Sequence, residues 1–162
     1  IMKVAADVPE GTKVTTFSIL MARLKGDLPV FVNGLKKMDE LKNGDKIFIA
    51  EACTHHAQRD DIGTVKIPRW LHEHTGKELE ISVAHGFDFP QNITDYKLII
   101  HCGGCMLTRK SMLVRLKQAR LMDIPIINYG ILISYLHGAI PRALEPFSEA
   151  MSEWNKAKML KV

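Results

Sequence analysis

The chain has 162 residues, of which 46% are hydrophobic and 25% charged, with a formal net charge of +4. That is enough for one globular domain with a core of its own and a short appended element. The basic residues are scattered rather than gathered into a nucleic-acid footprint, no apolar run reaches the ~18 residues of a membrane span, and no signal-peptide pattern is present.

Residues 1–16 begin with Ile rather than Met, as a piece of a longer chain would, and carry only a weak periodic signal. From Phe17 to Leu41, apolar residues recur near a 3.6-residue period, which predicts helix. "KGDLP" interrupts that helix: Gly26 can end one segment, Asp27 can cap the next, and Pro29 suits a first turn. The stripe has two readings, core packed on a sheet or a subunit contact presenting Met21, Leu24 and Phe31.

After "NGDK" the pattern changes. "KIFIAEAC" is a short, nearly continuous apolar run, which predicts a strand buried on both faces. "IPRWLHEHTG" reads as a helix ending at Gly76, and "ELEISVAHG" as an alternating strand nearer an edge. "YKLIIHC" is a second buried strand, "TRKSMLVRLKQARLMD" a helix and "IPIINYG" a last strand. "ILISYLHG" and "EPFSEAMSEWNKAKML" read as helices, the latter with Phe147, Met151 and Trp154 on its sheet-covering face. Strands alternating with helices predict an α/β fold, an open, mostly parallel four-stranded sheet flanked by helices (Rossmann/flavodoxin-like), with an N-terminal helical segment.

Three cysteines, two of them in a C-x-x-C, argue against a secreted disulfide framework and for metal or redox chemistry in a reducing cytoplasm. Cys53 in "EACTHH" closes the first strand and Cys102 in "HCGGC" closes the third. If the strand order is 2-1-3-4, these ends lie side by side at a topological switch point, where open α/β sheets bind ligands. The sulfurs of Cys53, Cys102 and Cys105 would then converge. Gly103 and Gly104 would let the backbone pass close to a bulky group, with the next helix directing its N-terminal amides there.

Three thiolates leave several occupants open. Zinc would take Cys53, His55, Cys102 and Cys105 as a closed Cys3His set. A 4Fe–4S cluster would take the three thiolates and leave one iron to a weaker ligand. A thioredoxin-like dithiol would use Cys102 and Cys105 alone, and inert buried cysteines are the plainest alternative. His55, His56, Asp60, Asp61 and His101 stand nearby in sequence. His72 and His74 are expected to face solvent, His137 to end a helix, and His85 to reach the cleft less readily than the others. Lys66, Arg69, Arg109 and Lys110 read as solvated surface that could also offset anionic charge.

"EACTHH", "DDIGTVKIPRWL" and "HCGGCML", together with "TTFSILMARLKGDL" and "IINYGILISYLHG", closely resemble the C-terminal part of the HydF family, the maturation scaffolds of FeFe-hydrogenase. The family's C-x-H and H-C-x-x-C fall on Cys53-Thr54-His55 and His101 to Cys105. The resemblance implies that Cys53, Cys102 and Cys105 ligate a 4Fe–4S cluster, with Asp60, His55 or His101 as an exchangeable fourth ligand. His56, Gly103 and Gly104 would stand just behind. It implies a cytoplasmic, homodimeric or larger scaffold that holds or delivers the diiron precursor of the hydrogenase active site. Its partners would be the hydrogenase and the other maturation enzymes. Residues 1–44 would be the end of a dimerisation region and 45–162 the cluster domain. The G-x-x-x-x-G-K-[ST] of the family's GTPase domain does not occur, so this piece is expected to bind no nucleotide and to be no enzyme. The rival expectations are a cytosolic thiol–disulfide oxidoreductase and a structural zinc domain.

Overall fold

A computed structural model describes residues 2–52, 60–86 and 89–159. Helix α1 (Met2–Asp7) opens the chain, where the periodic signal is weak. The long stripe that follows is broken where its punctuation predicts. Helix α2 (Phe17–Lys25) ends at Gly26, and α3 (Leu28–Gly34) starts on Asp27, whose side chain accepts from the Val30 N–H at 3.2 Å. Pro29 occupies the first turn, where its missing N–H costs nothing. Beyond Gly34 the chain tightens into a 3-10 helix, Leu35–Glu40, rather than continuing as α-helix.

Strands β1 (Lys46–Glu51), β2 (Glu80–His85), β3 (Leu98–His101) and β4 (Ile126–Asn128) form one parallel sheet in the order β2-β1-β3-β4. Between them run α4 (Ile67–Thr75), which a left-handed Gly76 ends, and α5 (Arg109–Leu121). Helices α6 (Tyr129–Leu136), α7 (Ile140–Leu144) and α8 (Ser148–Met159) follow the last strand. The chain is thus an α/β fold with an open sheet, as its alternating pattern predicts.

Burial follows sheet position. Ile47 and Ile49 of β1 and Leu98, Ile99 and Ile100 of β3 are completely buried, because both strands have neighbours on either side. Edge strand β2 alternates instead, with only Ile81 and Val83 tucked partly inward. Phe31, Val32 and Leu28 of α3 and Ile19 and Ala22 of α2 belong to the same continuous core as the strands. Helix α3 packs on β4 and α8, and α2 packs beside α5 and α6. Part of the amphipathic stripe is therefore core, while Phe17 (77% exposed), Leu20 and Leu24 (63%) face outward.

Arg109, read from sequence as solvated surface, has a specific task. Its Nη1 donates to the carbonyls of Arg23, Leu24 and Gly26 at 3.2, 2.7 and 3.1 Å. These are carbonyls at the α2 C-terminus, which a helix leaves without internal partners. Lys25 returns the tie by donating to the Leu107 carbonyl at 2.7 Å, so α2 is pinned at both points to the segment entering α5. Arg109→Ala is expected to lower stability by about 1 kcal/mol and to speed amide exchange in α2 more than in β1. Urea unfolding and hydrogen exchange would measure the two effects.

Candidate functional site

The sheet delivers one polar side chain from each strand to the same cavity. Glu51 is the last residue of β1 and His85 the last of β2, while Cys102 follows β3 and Tyr129 follows β4. All four line a cavity of about 250 Å³ at the carboxyl edge, together with Gly103, Gly104 and Cys105. A water molecule claims roughly 30 Å³ of liquid, so the space exceeds what a single ion requires. Its position between β1 and β3 is where the strand order turns back on itself.

Cys102 is held from two sides. Its N–H donates to the Ala50 carbonyl at 2.9 Å, which carries the β1–β3 ladder one residue past the end of β3. Its Sγ accepts the N–H of Ala52 at 3.3 Å. Cys102 is half-buried and Cys105 exposed. Burial pushes the Cys102 thiol above its ordinary pKa, with the amides of Ala52 and Gly104 pulling the other way. Gly104 sits at φ +63°, a left-handed turn between the cysteines, and a Cβ there would press on Met112. Gly103 lies open, with nothing near the place of a Cβ. The start of α5 spends part of its amide capacity on itself, since Thr108 Oγ1 accepts from Ser111 N–H at 3.1 Å.

Cys53, His55 and His56 belong to residues 53–59, which lie outside the described residues. Ala52, whose amide bonds the Cys102 sulfur, is the residue immediately before Cys53. Among the described residues, no three His, Cys, Asp or Glu side chains gather closely enough to hold one metal ion. The donor chemistry that the described residues do offer is soft. Two cysteines, Cys102 and Cys105, open on one cavity.

The other expected residues separate. Asp60 is ion-paired with Lys66 at 2.9 Å and points to solvent, outside the cavity lining. Its neighbour Asp61 lines the cavity instead and caps a π-helical turn, Ile62–Lys66, by accepting from the Thr64 N–H at 2.9 Å. That backbone hydrogen bond holds the Asp61 carboxyl below its usual pKa. His72 pairs with Glu78 at 3.0 Å, His74 packs edge-on against Tyr135 as well as meeting solvent, and His137 caps α6 against Trp70.

His101 is fully buried behind the site. Arg115 Nη1 lies 2.6 Å from its Nε2, and a guanidinium can only donate. Nε2 is therefore the acceptor, and Nδ1 carries the proton that it donates to the Cys102 carbonyl at 2.7 Å. Both ring nitrogens are spent, so ligating a metal would require breaking one of these bonds. Arg115 also donates to the Gly86 carbonyl and stacks over Phe89 at 5.6 Å, which ties the end of β2 to the end of β3.

Sequence reasoning missed the pairing of Glu51. Its Oε1 accepts from Tyr129 Oη at 2.8 Å, and its Oε2 lies 3.0 Å from His85 Nδ1. Burial and the adjacent carboxylate raise the Tyr129 pKa, so the phenol stays protonated and donating. Gly63 backs the pair, since a Cβ there would collide with both Tyr129 Oη and Glu51 Oε1. The available signal was the carboxylate that closes the apolar run of "KIFIAE".

The family model of the hydrogen maturase F tetramerization domain matches residues 29–146, most of the chain and all of the cavity. No curated protein matches it.

Burial and the Arg115 charge hold His101 neutral, with its pKa lowered to about 4 from an ordinary 6.5. Because the unfolded chain takes up that proton first, the stabilising contribution is complete above about pH 6.5 and is lost as pH falls through about 4. The loss should approach ~3 kcal/mol. In the reduced, metal-free protein, His101→Gln keeps an acceptor for Arg115 but does not titrate. Its urea midpoint should fall less than that of the wild type between pH 7 and pH 4.5.

Proposed function

The chain belongs to the hydrogen maturase F family, and from that premise we propose that it is the family's cluster-holding scaffold. In this reading Cys53, Cys102 and Cys105 bind a 4Fe–4S cluster, and the domain holds or delivers the diiron precursor of the FeFe-hydrogenase active site. Membership assigns a role in hydrogenase maturation, and the matched domain is one that self-associates. The single observation that supports the finer reading is the Ala52 N–H to Cys102 Sγ hydrogen bond. It brings the backbone that leads into Cys53 to the sulfur of the C-x-x-C.

When bound, the cluster would supply an iron with an exchangeable position to which a second metal fragment can attach. This chain's residues do the holding. The β1–β3 pairing presents Cys102, the His101–Arg115 contact stiffens its backbone, and the left-handed Gly104 turns the chain towards Cys105. The thiol–disulfide oxidoreductase alternative would need only Cys102 and Cys105, so its exchange activity would survive Cys53→Ser. Hydrogenase and the other maturation enzymes are the partners this reading implies. As purified anaerobically, the protein should carry iron and acid-labile sulfide in equal amounts, and Cys53→Ser should lose most of both. Zinc without sulfide would defeat the proposal, and so would full cluster content in Cys53→Ser.

Self-association needs a surface, and α2 and α5, which pack side by side, both expose apolar side chains. Phe17, Leu20 and Leu24 fall on successive turns of α2, and Val114 and Leu121 (76% exposed) lie one heptad apart on α5. We assign a second copy of this chain to that face, because the matched family domain assembles with itself. Leu24→Glu combined with Leu121→Glu should shift the sedimentation profile towards smaller species at equal concentration. The helical circular dichroism should not change, since both side chains already face outward.

A further inference from the structure

A second cavity, of about 780 Å³, lies where β4 begins, at the end of that strand away from Tyr129. It opens between α5 and α3 with its 3-10 extension. Val30, Asn33, Gly34 and Lys37 form one wall, and Leu113, Leu116, Lys117 and Arg120 the other. Each set has the i, i+3, i+4, i+7 spacing that puts side chains on one helix face. Gly34 seats the first wall directly on the strand, since a Cβ there would strike the Ile126 carbonyl oxygen. The whole lining lies among the described residues, and none of it belongs to the cysteine cavity.

The charges of this groove are unevenly matched. Glu40 is spent on Lys37 at 3.0 Å, and Asp27 on the Val30 N–H at 3.2 Å. Among the described residues, the side chains of Lys36, Lys117 and Arg120 have no ion pair, and Asp123 is the one uncommitted carboxylate facing them. Lys36 is half-buried, so its charge gives up hydration with no carboxylate in return. The floor is aliphatic, with Leu116, Ile124 and Ile126 buried, while Val30 (37% exposed) and Leu113 (38%) meet solvent on opposite walls. No aromatic residue lines the groove, so it offers no platform on which a nucleic-acid base could stack. A small anion would satisfy the cations and leave the apolar walls wet.

We propose that this groove docks an acidic peptide segment of a partner protein. The segment's carboxylates meet Lys36, Lys117 and Arg120, and an aliphatic side chain fills the space between Val30 and Leu113. Charge complementarity supplies the orientation and apolar contact the burial, as in other peptide grooves. Because the groove sits at the amino end of β4 and the cysteine cavity at the carboxyl edge, a partner held here leaves that cavity open. The inference does not depend on what the cysteines bind.

The test is fluorescence anisotropy at ~0.15 M salt, where unspecific surface attraction is screened, with a labelled peptide of glutamate and leucine as the probe. Saturable binding is expected, and Lys117→Glu combined with Arg120→Glu should weaken it about tenfold or more. Both side chains are exposed, so circular dichroism should not change. Lys3→Glu with Lys13→Glu makes the same charge change outside the groove and should leave binding at the wild-type level. On the probe's side, glutamine in place of glutamate should abolish binding, and serine in place of leucine should weaken it about threefold or more. Absence of saturable binding, equal weakening by the two charge pairs, or indifference to the leucines overturns the inference. So does a single-stranded oligonucleotide that binds more tightly than the peptide. A sedimentation shift of the Lys117→Glu, Arg120→Glu variant towards smaller species would give the groove to a second copy and overturn it too. Iron and sulfide content enters none of these readouts, so the scaffold reading stands or falls separately.

Discussion

The pairing of β1 with β3 governs everything at the carboxyl edge. Ala50 lies opposite His101, the Cys102 N–H bonds the Ala50 carbonyl, and the Ala52 N–H bonds the Cys102 sulfur. Since side chains alternate along a strand, a slip of one residue would turn Glu51 or Cys102 to the opposite face. Apolar packing supports the register, with Ile47, Ile49, Leu98 and Ile100 all completely buried.

Around that ladder lies a layer of buried and half-buried polar groups. Among the described residues, no buried side-chain nitrogen or oxygen is left without a hydrogen bond. His101 and Arg115 join the ends of β2 and β3 behind the cysteines, while Glu51, Tyr129 and His85 join β1, β2 and the start of α6 across the cavity. A partner missing from either network would leave a desolvated polar atom, which typically costs more than a net hydrogen bond contributes. The networks therefore make the strand ends stiff, with the exposed Cys105 and half-exposed His85 as the accessible parts.

Much of this architecture is legible in the chain itself. "KGDLP" states its bend in the chemistry of three residues, and the helix stop at Gly76 and the alternation of β2 are equally local. The order β2-β1-β3-β4, which the sequence offered only as a condition, is the one the structure adopts. The 3-10 segment after Gly34 and the π-helical turn before α4 were not legible. Both continue helix-compatible sequence, and hydrogen-bond shifts of a single residue leave no compositional trace. Arg109 and Arg115 were opaque for a different reason, since a cation's partners here lie far along the chain.

By itself the sequence determined the alternating elements, the edge position of β2 by its half-apolar pattern, and the cysteine that follows β3. Each is a matter of local periodicity or of residue type, and needs no knowledge of what lies opposite. Only the tertiary structure decided that His101 is spent on Arg115 and Cys102, that Asp60 turns to Lys66, and that Glu51 holds His85 and Tyr129. Whether a ring nitrogen or a carboxylate oxygen is free for chemistry depends on which distant groups compete for it. That competition exists only once folding has brought the strand ends together.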